Sequence, residues 1–218
     1  MSFISSLTTA QIAALSTDTI AGLATEDIAA FSTDQVAALT TAQIEVITGV
    51  NLGTFSADQV PGFTTAQVVA LTTDQIGALK TAQIVALTTA QVAAIETDDI
   101  AVLSLANLAA LTTAQTAALT TDQVVALTST QVAALSTAQV VALTTAQVAA
   151  IEVTDIPVLP VSSIAALTTA QAAALTTDQV VALTTAQVAN LTIEQVAALT
   201  LSACALDFHR VWVWVAVG

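Results

Sequence analysis

From Leu7 to Leu191 the chain places Leu, Ile or Phe at every eighth residue, 24 times without insertion or deletion. With the unit written L-T-T-A-Q-V-A-A, position six is Val, Ile or Leu in every octad except two, where Thr116 and Ala172 stand. Two apolar anchors per unit are therefore set at a period that no continuous element can use. Eight residues at 3.6 per turn overshoot two helical turns by about 80°, which would spread the anchors around the whole cylinder. Positions one and six have opposite parity, so an extended strand would send them to opposite faces. The pattern predicts a helix that restarts in every unit.

The restart signals are in the octad itself. Position two is Ser or Thr in 19 octads and position five is Gln in 17, the S/T-x-x-Q spacing of a capping box with position two as N-cap. The same register puts the position-one Leu at N′ and the position-six Val or Ile at N4, the pair that forms a hydrophobic staple. Nine carboxylates fall at position four (Asp18, Glu26, Asp34, Asp58, Asp74, Asp98, Asp122, Asp178 and Glu194), where they complement the positive end of a helix dipole. Positions seven and eight are mostly Ala, with Gly22, Gly62 and Gly77 among the exceptions, and are expected to let neighbouring helices approach. A helix of about one and a half turns is unstable alone, so stability has to come from stacking. The expected fold is an all-α solenoid of very short capped helices, one per eight-residue repeat.

The expected organisation is an N-terminal lead-in over 1–6, the octad array over 7–198, and an irregular tail over 199–218 that is a cap or a truncation. A longer period overlies the octad. Ile95-Glu96-Thr97-Asp98-Asp99-Ile100 returns 56 residues later as Ile151-Glu152-Val153-Thr154-Asp155-Ile156, and Asn107-Leu108 matches Asn51-Leu52 at the same distance. Seven octads were copied as a block. Pro61 and Pro157 fall at position seven, past the first turn, and should distort their units; Pro160, at a position two, can simply begin its helix. The tail, with Val211-Trp212-Val213-Trp214-Val215, is unlike anything before it.

Composition narrows the function. Hydrophobic residues make up 56%, yet Thr, Asp and Gln recur too often for a bilayer-spanning run in the array. The formal charge is −14 with Lys80 and Arg210 as the only Lys or Arg, so a phosphate-neutralising groove is excluded and nucleic acid is not an expected partner. Cys204 is the sole cysteine and His209 the sole histidine. There is no internal disulfide and no Cys-based zinc site. Ser and Thr are abundant but serve as caps without a base, so no catalytic residue, cofactor site or enzymatic activity is expected. Glu96, Asp98 and Asp99 bring three carboxylates together as the candidates for a metal site, with Glu152 and Asp155 repeating the theme, since oxygen-rich clusters can hold Ca²⁺. No EF-hand loop accompanies them, carboxylates in a helix's first turn have an ordinary electrostatic reason, and no metal is assigned. The start, Met1-Ser2-Phe3-Ile4-Ser5-Ser6, shows no basic flank or long apolar core of a cleaved signal. That leaves a cytoplasmic protein, export by another route, or a fragment.

Leu119-Thr120-Thr121-Asp122-Gln123-Val124-Val125-Ala126-Leu127, repeated at Leu175 to Leu183, resembles the opening helix of TAL-effector repeats. The base-reading loop, its glycines and the basic residues are missing, so the likeness implies a well-capped helix start and no DNA recognition. More broadly, the array over 7–198 resembles octapeptide-repeat stretches of large bacterial surface and secreted proteins. That resemblance implies a non-catalytic repeat scaffold, spacer or adhesion segment at the cell surface, with a protein or cell-surface partner. A second reading is an ice- or ordered-water-binding surface, drawn from the position-three threonines Thr9, Thr17, Thr25, Thr33, Thr41, Thr65, Thr73, Thr81 and Thr89.

Overall fold

In the computed structural model the chain is described from residue 2 to residue 203, and these residues form 22 α-helices and three 3₁₀ segments with no strand among them. The chain is all-helical with one short helix per octad. Most helices are four to six residues long, and each restart is made by two extended residues. Leu39 (φ −61°, ψ 137°) ends one helix and Thr40 (φ −75°, ψ 159°) caps the next. The reciprocal capping box forms as its spacing implies: the Thr72 hydroxyl accepts from the Gln75 N–H, and the Gln75 side-chain carbonyl accepts from the Thr72 N–H. Where position two is Ala24, Lys80, Glu96, Glu152 or Pro160 the N-cap makes no side-chain bond, and the helix still starts there.

The contacts divide the chain into two compact units, Met1–Ala126 and Leu127–Gly218. In the first unit helices pack on those three octads away: Thr73–Gly77 against Thr97–Val102, and Thr97–Val102 against Thr121–Val125. In the second, Thr137–Ala142 packs on Val161–Ala166 in the same way. The chain thus completes each circuit in a little over three octads. The anchors at positions one and six fill the space inside the circuit; Ile76, Ile84 and Val92 are fully buried. Position seven faces solvent, where Val69, Val85 and Val125 are all more than two-fifths exposed, so close helix approach does not depend on a small residue there. A side-chain carbon on Gly77 would meet nothing. At Gly62, by contrast, a Cβ would lie 2.7 Å from the Thr33 carbonyl oxygen, so the Ala usual at position eight does not fit.

The proline octads differ as their sequence implies. Val60–Gly62 and Val153–Val158 are 3₁₀ rather than α, because Pro61 and Pro157 cannot donate the hydrogen bond that would continue an α-helix. Pro160 stands at the N-cap of Val161–Ala166. The first distorted octad is braced by aromatic packing, with Phe55 edge-on to Phe63 at 5.1 Å and tilted against Phe31 at 6.2 Å. The lead-in keeps the register of the array. Ile4, eight residues before Ile12, is fully buried in a 3₁₀ turn, Ile4–Ser6. At the other end Ile193–Ala203 is one helix of 11 residues, running through the point where another octad would restart. Ala203 stands there where Gln would complete the capping box. The rest of the tail, 204–218, with Cys204 and His209, lies outside the described residues.

If the octad is the structural unit, removing eight residues, Leu135 to Ala142, should rejoin identical anchors and leave every remaining cap intact. Removing four, Ala134 to Thr137, destroys a cap and puts the flanking anchors out of register. Cap loss alone costs about 1 kcal/mol, so thermal unfolding should show the shorter deletion to be the more destabilising. Equal melting temperatures would reject the octad as the unit.

Candidate functional site

The chemically distinctive feature is a rank of buried glutamines. Gln43, Gln75 and Gln123 are 1–3% exposed, which a cap on a surface helix does not require. The second half of each side-chain amide explains the burial. The Gln75 side-chain nitrogen donates to the Ile47 carbonyl at 2.6 Å and the Ile44 carbonyl at 2.8 Å, 28 and 31 residues back. The same two-ended bonding recurs wherever Gln holds position five from Gln35 to Gln123 in the first unit, and from Gln171 to Gln195 in the second. A helix's first N–H groups and last C=O groups have no partner inside it. Each glutamine satisfies an N–H at the start of its own helix with its oxygen, and carbonyls at the end of a helix one circuit earlier with its nitrogen. Gln83 does both although its N-cap is Lys80.

The lead-in is held by the same seam, since Gln35 donates to Ile4 and Leu7 carbonyls at 2.9 and 2.7 Å. Gln11, in the first octad, makes the capping box and is exposed. The S/T-x-x-Q spacing identified the capping half of this role. The seam half was hidden because its partners lie 28 and 31 residues away; the one signal for it was that position five is Gln in 17 octads and never Glu, which would cap as well.

The irregular octads alter the rungs. Asn51 and Asn107 each donate to the carbonyl 28 residues back, Leu23 and Leu79, at 2.8 Å, and Asn107 also accepts from the Thr81 hydroxyl at 3.1 Å. At Ser163 the rung is a hydroxyl pair with Thr137. Asp155 accepts from the Ser129 hydroxyl, and Asp99, 56 residues earlier, is bonded to Thr73 in the same relation. Thr116, at an apolar anchor position, is fully buried with its hydroxyl on the Thr112 carbonyl at 2.9 Å.

Of the acidic candidates, only Asp99 is buried; Glu96 and Asp98 are exposed. Burial, and then the charges of Glu96 and Asp98, push the Asp99 carboxyl above its ordinary value, against the opposing Thr73 hydrogen bond. Glu96 and Asp98 line an open groove with Asp122 and Val69. Among the described residues no three His, Cys, Asp or Glu come together as a metal site would need, and no helix is long and apolar enough to cross a membrane.

The sequence matches the model of the ALTTAQ repeat in six overlapping segments, 20–56, 50–81, 73–104, 92–129, 125–151 and 148–185. No curated protein is similar to it.

The seam predicts that Glu cannot replace Gln inside it. Gln75→Glu keeps an acceptor for the cap but loses the donor to Ile44 and Ile47 and buries a charge. It should cost about 2–4 kcal/mol in denaturant unfolding at neutral pH, given ~1–3 kcal/mol per buried polar group left unpaired. Burial raises a carboxyl's pKa, so the folded variant binds its proton more tightly than the unfolded one, and the deficit should shrink as pH falls through the raised value. Gln11→Glu, on the surface, should stay within about 0.5 kcal/mol of the parent. Similar costs at the two positions would remove the seam from the account of stability.

Proposed function

The chain belongs to the ALTTAQ repeat family, and we propose that it is a non-catalytic scaffold: a regular spacer or protein-interaction segment of a larger bacterial protein, presented at the cell surface. The observation that carries this reading is where the polar chemistry goes. The glutamine amides and N-cap hydroxyls are spent on helix ends and on the seam between circuits. What faces outward is a repetitive surface of small, hydroxylic and acidic side chains with exposed valines at position seven, which suits separation or display better than turnover. A protein or cell-surface partner is the partner class this surface favours. The threonine ranks are exposed, but Thr73 and Thr81 point their hydroxyls at Asp99 and Asn107, which breaks the regular array an ice surface would need.

The spacer reading is tested by placing the chain between two fluorescent reporters and adding whole 56-residue blocks. The donor–acceptor distance should grow by an equal step per block; a distance that stops growing would overturn the reading. A second outcome follows from the −14 charge. In gel-shift titration at low salt, where phosphate contacts are strongest, neither DNA nor RNA should show saturable binding.

A further inference from the structure

Asp99 stands where the seam elsewhere carries a neutral donor. Its position is that of Asn51 and Asn107, whose side chains are of the same length and reach the position-one carbonyl 28 residues back at 2.8 Å. For Asp99 that carbonyl belongs to Leu71. An ionised carboxylate only accepts hydrogen bonds, whereas a protonated one carries an O–H donor. Asp99 is 3% exposed and takes the Thr73 hydroxyl, two residues beyond Leu71, as its partner. One carboxyl oxygen can therefore keep Thr73 while the other, once protonated, faces the role that the Asn nitrogen plays at Leu23 and Leu79.

We propose that Asp99 is a proton-operated rung: neutral Asp99 donates to the Leu71 carbonyl and closes the seam between the helices Thr73–Gly77 and Thr97–Val102, and ionised Asp99 leaves that rung open. The charged groups around it all have one sign. Glu96 and Asp98 are on its own helix, Asp74 is on the helix packed on one side, and Asp122 on the helix packed on the other. No Lys, Arg or His lies on any of these helices, so ionisation is favoured there only by Thr73 and by the start of Asp99's own short helix. The direction of the carboxyl's shift agrees with this surrounding. The sign follows: a carboxyl whose folded pKa lies above its unfolded value weakens the fold at neutral pH, and that deficit is relieved as pH falls through the folded pKa. The seam tightens on acidification.

The test uses the full chain with ¹³C at the Asp99 carboxyl and the Leu71 carbonyl, followed by NMR from pH 7 to pH 3. Asp99 should titrate with a midpoint above 3.8, the ordinary value, and the Leu71 carbonyl shift should move with the same midpoint. In Asp99→Asn, which copies the native Asn51 and Asn107 rungs and so should fold, the Leu71 signal should be flat across this range. The variant should also melt about 2–4 °C above the parent at pH 7, with the gap closing as pH falls. A Leu71 signal that ignores the Asp99 titration, or a melting gap independent of pH, would overturn the proposal. Movement that follows Glu96 or Asp98 instead would overturn it too.

Discussion

The structure depends on one side chain doing two jobs at once. A helix of five or six residues satisfies almost none of its own backbone groups, since the unpaired N–H and C=O groups at the two ends account for most of its length. Such a helix survives only if something else supplies both sets of partners. Glutamine at position five, with a carbonyl and an amino group on one planar amide, faces the start of its own helix with the first and the end of an earlier helix with the second. A seam of these amides allows a unit as short as an octad to be a structural repeat.

That constraint orders the rest. Because the amide must reach carbonyls 28 and 31 residues back, the circuit is set at a little over three octads, and positions one and six meet inside it as core. The surface is released from packing, which is why position seven takes Val or Ala freely and position four collects acidic residues. Departures are tolerated where another donor or hydroxyl can stand in, as at Asn51, Asn107 and Ser163. The 56-residue block is seven whole octads, so equivalent departures recur with equivalent partners: Thr73 with Asp99, and Ser129 with Asp155.

The N-cap proves less essential than its frequency suggests. Five octads lack a capping hydroxyl and still begin a helix in register, and at Lys80 the seam glutamine alone suffices. The prolines act locally for the same reason: Val153–Val158 tightens to 3₁₀, yet Ile156 stays fully buried and its carbonyl still takes the Gln187 amide at 2.8 Å.

From sequence alone came everything that a period and a local spacing can encode. The failure of eight to fit a helix or a strand required a restart; T-x-x-Q located it at Thr72 and its equivalents; Pro61 and Pro157 marked the distorted units. Those features involve residues a few positions apart, where backbone geometry alone sets what can meet. The partners of Gln75 at Ile44 and Ile47, the closeness of Gly62 to Thr33, and the division of Glu96, Asp98 and Asp99 into two exposed carboxyls and one buried one were decided only in the folded array. They depend on how far the chain rises and turns in one circuit, which no single octad contains.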